Sequence, residues 1–328
     1  MNGQCYNNIS DADFLKLMTI YKTICYGPVY NLPVHDIDIC KKYIELFADT
    51  TDVYNDIDKF LKFCALHNIN TTNDLNSIIV DHINDKYTYI ASINNYIKNN
   101  VLPTPKIKIP NENKFVKLIP GHTYLSIDLV HAFSQFVDSL KILPDKYDTI
   151  LIDSIPFEYL KKSKRLRMFM YFQCEQLYNI TSFFGNDYII NLLLSTIDKD
   201  YELFNKIRVN NLFPQSYNLD EAVYDITGME NEFIGYIGKH TIDGVSINAS
   251  LFIPHYVTYD DNVKEKCVLI KTDYITGIDY IANRKCKYIN QLYKAFKGLP
   301  ITQDDLIYTD HTGKIYKLTE PVKITNIE

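Results

Sequence analysis

The stretch Tyr124-Leu125-Ser126-Ile127-Asp128-Leu129-Val130-His131-Ala132-Phe133-Ser134-Gln135 decides how this chain is read. An apolar run broken by Ser126 ends on Asp128, and a helix-like pattern starts at once, with the aromatic Phe133 five residues further on. The pattern predicts a short strand over 124–128 and a helix over 129–140. A carboxylate at the end of a rigid strand is one of the oxygen ligands that Mg2+ takes, completed by phosphate oxygens of a substrate. An aspartate in that position also serves as the cap of the helix that follows. Both readings are carried forward.

A metal-dependent centre needs a second acidic element on a neighbouring strand, and two segments offer one. Asn218-Leu219-Asp220-Glu221-Ala222-Val223-Tyr224 sets Asp220 and Glu221 at the start of an apolar strand. Tyr256-Val257-Thr258-Tyr259-Asp260-Asp261-Asn262 sets Asp260 and Asp261 after one. The first pair is preferred, because 260–266 is polar enough to be an ordinary hairpin turn and lies far along the chain from Asp128. A solvated turn is the alternative for either pair. Between the acids lies Lys161-Lys162-Ser163-Lys164-Arg165-Leu166-Arg167, in which five of seven residues are basic. Triphosphates and nucleic-acid backbones need such a local field. Ser163, Lys164, Arg165 and Arg167 are its candidate substrate-binding residues, since Arg grips phosphate bidentately and Ser donates a hydrogen bond. The bland alternative is a solvated helix face.

Asp128-Leu129, two variable residues, then Ala132 and Phe133, all behind an apolar strand, resemble motif A of palm-type nucleic-acid polymerases, reverse transcriptases above all. The resemblance covers about a dozen residues. It implies a palm in which Asp128 and Asp220 hold Mg2+ or Mn2+, Glu221 completes the catalytic acids, and Phe133 lies beneath the sugar of the incoming nucleotide. The Asp260-Asp261 pair is closer to the paired-aspartate hairpin of reverse transcriptases, but Tyr259 directly precedes the acids where the family has an intervening residue. The implied function is metal-dependent nucleotidyl transfer by a polymerase-like protein of viral or phage type. A metal-dependent nuclease would use the same acids. A structural or interaction protein of a virus or phage would need none of them, and its aromatic residues would anchor interfaces.

The rest of the chain reads as α+β, a helical N-terminal region followed by a mixed region with a mostly antiparallel sheet. Residues 1–100 carry helical spacing, with caps at Ser10 and Thr71 and helices near 36–48 and 52–67. This region is a helical domain able to dock a protein partner. Residues 101–113 hold Pro103, Pro105 and Pro110 and read as a linker. Residues 114–328 form the α+β domain. Strands are expected over 115–119, 206–209, 222–226, 233–237, 267–272, 306–310 and 314–318, and helices over 157–167, 188–197 and 289–297. The run Thr149-Ile150-Leu151-Ile152-Asp153 resembles an acidic strand of Rossmann methyltransferases or of P-loop proteins. Both need a glycine-rich loop earlier in the chain, and none is present among the 11 Gly.

Composition bounds these readings. With a net charge of −6, any nucleic-acid contact must rest on a local basic patch. The seven Cys are scattered without a CxxC pair, which argues for reduced, packed thiols. The eight His form no HExxH, although His131 stands beside Asp128. No apolar run approaches the roughly 20 residues of a membrane span, and the first residues carry no secretory pattern. The expectation is a cytoplasmic protein that meets nucleotides and nucleic acid but no membrane. Its richness in Tyr, Asn, Ile, Asp and Lys suits an AT-rich genome.

Overall fold

A computed structural model describes residues 59–71, 110–141, 187–218, 220–261, 263–281, 286–309 and 315–328, with isolated positions before residue 100. Its strands are β1 (Tyr124–Leu129), β2 (Pro214–Asn218), β3 (Glu221–Asp225), β4 (Gly238–Ile242), β5 (Val245–Asp260), β6 (Glu265–Asp273), β7 (Asp279–Ile281), β8 (Ile307–Thr309), β9 (Ile315–Lys317) and β10 (Lys323–Ile327). The helices that matter are α1 (Ala132–Ser139), α2 (Asp187–Lys199), α3 (Tyr201–Val209) and α4 (Ile289–Phe296). Eight strands form one sheet in the order β2-β3-β1-β5-β6-β7, with β4 and β10 also on β5. Its pairings are antiparallel. The α+β architecture with a mostly antiparallel sheet is therefore as expected.

Strand parity divides the sheet into two unlike faces. Leu125, Ile127 and Leu129 lie beside Tyr224, Ala222, Leu251, Ala249 and Ile247. All belong to the main buried cluster, which also takes in Phe136 and Val137 of α1 and Ile189, Ile190, Leu193 and Ile197 of α2. Phe60, Phe63, Cys64, Ile69 and Leu75 join the same cluster, so the described part of the N-terminal region shares its core with the sheet. The opposite face carries a small cluster of Leu118, Tyr124, Val223 and Phe252. Beyond that cluster it turns polar.

β5 organises the sheet. It runs for 16 residues and has Pro254 in its interior. Its even-numbered residues turn their backbone groups toward the β1 side, where Val130 N–H donates to Ser246 O and Tyr256 N–H to Glu328 O. On that side β1 pairs no further than Phe252, and β10 begins at Val257. Pro254 falls in the gap between them, so its missing N–H leaves no ladder bond unmade.

Three expected strands differ. Residues 206–209 complete α3, whose N-cap Asp200 accepts from Leu203 N–H at 3.1 Å and whose first and last turns carry Glu202 and Lys206 with Arg208. That cap and charge order suit the helix dipole. Residues 233–237 are helical instead, a turn over Glu230–Phe233 followed by a 3-10 turn over Ile234–Tyr236. Phe233 and Tyr236 are both buried, three residues apart, as a helical turn requires. Residues 115–119 lie outside any ladder, with Phe115 in the left-handed region at φ 56°. Their N–H groups are met largely by hydroxyls: Val116 by Ser216 Oγ, Leu118 by Tyr256 Oη and Ile119 by Tyr124 Oη, at 2.8–3.1 Å. This segment thereby covers one end of the polar face.

Other expectations agree with the structure. Ser10 and Thr71 cap through Asp13 and Asp74 respectively. A helical stretch covers 59–66. β8 and β9 pair as the expected hairpin. The expected helix over 36–48, the acidic strand over 149–153 and the basic helix over 157–167 lie outside the described residues. Among the described residues no helix is long and apolar enough to cross a membrane.

Candidate functional site

The end of the polar face away from residues 115–119 is built by strand register. Asp128 sits directly opposite Glu221 of β3 on one side and Asn248 of β5 on the other. Asn218 of β2 faces Glu221, and Lys239 of β4 faces Asn248. One row across five strands thus reads Asn218, Glu221, Asp128, Asn248, Lys239. Directly opposed residues of antiparallel strands hold their Cβ atoms about 4.5–5.5 Å apart, where like charges destabilise the sheet. Asp220 lies in the two-residue turn between β2 and β3, which is tied to the end of β1 because Leu129 N–H donates to Asp220 O at 3.0 Å. Asp128, Asp220 and Glu221, singled out from the sequence, are therefore neighbours.

Asp128 is not the cap of the helix that follows. The N-cap position of α1 is His131, in the left-handed region at φ 54° and without a side-chain cap bond. The link between β1 and α1 is held by Gln135, whose amide donates to Val130 O and Ser246 O and accepts from Ser246 N–H. His131 itself is exposed. Phe133 is half-buried and packs against the main cluster.

The two opposed carboxylates sit in different environments. Burial, then the negative charges of Asp220 and Glu221, pushes Asp128 up to about 6, against the pull of an Asn248 hydrogen bond and of Lys271. Burial would raise Glu221 too, but Lys271, Asn218 and Ser126 together hold it below the usual carboxylate range. Ser126 Oγ donates to Glu221 Oε1 at 2.5 Å, Lys271 Nζ to the same oxygen at 2.9 Å, and Asn218 Nδ2 to Oε2 at 2.8 Å. Lys271 stands on β6, which a flat sheet would place about 14 Å from β3, three strands away. Lys271 is also offset along the sheet, opposite Pro254 where Asp128 is opposite Asn248, and its ammonium lies 4.2 Å from the Phe252 ring centroid.

The alternative pair is remote. Asp260 lies at the far end of β5 from Asn248, twelve residues on, or about 40 Å of strand. Asp260-Asp261 therefore cannot complete a centre with Asp128. Ser163, Lys164, Arg165 and Arg167 lie outside the described residues. Lys271, Asn248, Ser126 and Asn218 are additions from the structure. Ser126 and Asn218 stood inside stretches already quoted, whereas Lys271 and Asn248 carried no local signal.

The donors are all oxygen, as Mg2+ or Mn2+ prefers. Glu221 accepts two hydrogen bonds at Oε1 and one at Oε2, and Asp128 accepts one from Asn248. Among the described residues no set of three or more His, Cys, Asp or Glu side chains is placed to hold a metal ion. Mg2+ is commonly held by one or two carboxylates together with substrate phosphates, not by an all-protein cage. The residues fit such a partial site. Comparison of the chain with protein-family models, curated proteins and solved structures finds no match.

Proposed function

We propose that this protein is a metal-dependent nucleotidyl transferase of palm type, with Asp128, Asp220 and Glu221 as its acidic centre. The supporting observation is the placement of Asp128 directly opposite Glu221, with Asp220 in the adjoining turn, on the sheet face opposite the one against which α1 and α2 pack. Natural sheets avoid like charges in that position unless something offsets them. Asp128 and Asp220 would hold Mg2+ or Mn2+. The bound cation would supply charge stabilisation at the phosphates during displacement of pyrophosphate. Asn248 orients the Asp128 carboxyl, and Ser126 with Asn218 fixes Glu221. The segment 115–119 closes the face at the end away from the acidic row. The basic run 161–167 is proposed as the contact for triphosphate and nucleic-acid backbone.

The test is incubation with a labelled nucleotide and a primer–template, or single-stranded DNA or RNA, across a Mg2+ and Mn2+ titration. Extension of the primer supports the reading. Metal-dependent shortening of the strand assigns the same acids to a nuclease. Neither binding nor turnover under any metal moves the protein to the interaction class.

A further inference from the structure

We propose that Tyr124, Phe252 and Tyr256 form a stacking platform for single-stranded nucleic acid, and that residues 115–122 are a detachable strap lying over it in the resting protein. The proposal extends the proposed function and rests on it for the strand's destination, the acidic row. All three rings are on the polar face: Tyr124 of β1 is directly opposite Phe252 of β5, and Tyr256 follows four residues along β5. The rings of Tyr124 and Phe252 stack 5.9 Å apart at 27°. Lys271 Nζ lies 4.2 Å from the Phe252 centroid, and Lys117 Nζ lies 4.7 Å from that of Tyr256. Rings interleaved with ammonium groups on a sheet face suit a single strand, whose bases stack on the rings while its phosphates meet the cations. Asp128 is on the same face, four residues from Tyr124 along β1, or about 13 Å.

The strap is held as a bound ligand would be, chiefly by side chains. One backbone bond joins its start to the sheet, from Phe115 N–H to Tyr217 O at 3.1 Å. Its other contacts are to hydroxyls: Val116 N–H donates to Ser216 Oγ, Leu118 N–H to Tyr256 Oη and Ile119 N–H to Tyr124 Oη. Two of the three platform residues therefore hold the strap by their phenol oxygens. Leu118 is the strap's one buried side chain, set among Tyr124, Val223 and Phe252. Phe115, Val116 and Ile119 are 66%, 38% and 54% exposed. A segment that buries one apolar side chain and leaves three in water gains little by staying in place. Lys117 pairs with Glu328 at 2.9 Å, with the two side chains 58% and 36% exposed. Exposed pairs of this kind are weak, so a phosphate can replace the carboxylate. The far end turns at Pro120-Gly121, with Gly121 at φ 77°, and His122 pins it to Asp225 at 2.8 Å. Release of 115–119 thus leaves the chain anchored at residue 122.

The experiment measures binding of fluorescein-labelled dT and U dodecamers by anisotropy, in EDTA, to the full chain. It compares the wild type, Tyr124→Phe/Tyr256→Phe, and that double variant carrying Phe252→Leu, each checked for folding by circular dichroism. The double variant keeps both rings and removes both latches. The amides of Leu118 and Ile119 should then exchange faster with solvent, and affinity for an oligonucleotide should tighten at least about fivefold, because less of the protein is held closed. Adding Phe252→Leu should lose at least about fivefold of that affinity. Tightening on either dodecamer supports the proposal, and the tighter of the two identifies the strand as DNA or RNA. Strap amides as protected as before, an affinity unchanged or weaker in the double variant, or an affinity indifferent to Phe252→Leu would overturn it. So would binding of a synthetic peptide of residues 113–122 to the double variant without binding of either dodecamer, which would assign the face to peptide. No metal is present, so failure here leaves the nucleotidyl-transfer reading to its own incorporation assay. Should Phe252→Leu fail to fold, the double tyrosine variant decides by itself.

Discussion

Two hairpin turns in this molecule carry paired acids, and the sheet uses them in opposite ways. At the β5–β6 turn, Asp261 Oδ1 accepts from the N–H groups of Val263 and Lys264, and Asp261 also pairs with Lys266. Lys266 first, then the Lys264 N–H, holds it down to about 2. That acid is consumed in closing its own turn. At the β2–β3 turn, Glu221 bonds to partners on β1, β2 and β6, and Asp220 and Glu221 both raise the proton affinity of Asp128 on the neighbouring strand. Paired acids at a turn are thus not informative by themselves. What separates the two turns is whether the charge is satisfied within the loop or set against a like charge across strands.

Substitution of each pair should break the comparison or sharpen it. The largest effect is expected on activity: Asp128→Asn and Asp220→Asn should reduce nucleotidyl transfer to background, while Asp261→Asn should leave it intact, as read in a primer-extension assay. Next come stability changes of opposite sign at two carboxylates that face each other. Asp128→Asn should stabilise the metal-free protein by about 1–3 kcal/mol at pH 7, because it removes an acid whose pKa is raised on folding. Glu221→Gln should destabilise it by about 1–3 kcal/mol, because Lys271 loses its charged partner. Urea unfolding measures both.

The pH dependence follows from the same shift. Asp128 rises from 3.8 to about 6 on folding. Between those values the folded state holds more protons than the unfolded one. Its contribution is therefore fully present below about pH 4, falls as pH rises through 6, and is flat above. Asp128→Asn should remove that decline from a urea series run over pH 4–7 without metal. The smallest effect is a control far from both turns: Asp200→Ala, at the N-cap of α3, should cost about 1–2 kcal/mol without changing metal binding.

Much of this was legible in the residues. The alternation in Tyr124–Asp128 fixed a strand, and the acids at 220 and 221 stood at the head of another, so the candidate centre could be read before the register was known. The cap at Asp200 and the charge order of Glu202, Lys206 and Arg208 already marked a helix, yet the apolar Ile207 and Val209 favoured a strand reading. β5 was legible only in its last residues, 256–259, and its length was hidden for a different reason. Pro254 argues against a central strand unless the gap between β1 and β10 is known, and that gap is a tertiary fact. Lys271 could not have been found from sequence, since its partner lies 50 residues away across three strands and no local pattern announces the pair. The division into a helical domain and an α+β domain reads naturally along the chain, whereas Phe60 and Leu75 enter the same buried cluster as Leu125.

The central claim is that the opposed carboxylates of β1 and the β2–β3 hairpin form a working metal centre and the β5–β6 acids do not. The most direct test is metal-dependent incorporation of a labelled nucleotide by the wild type, Asp128→Asn, Asp220→Asn and Asp261→Asn, at matched folding. The account predicts incorporation in the wild type and Asp261→Asn, and none in the other two. A fully active Asp128→Asn protein, or an Asp261→Asn protein as inert as Asp220→Asn, would contradict it.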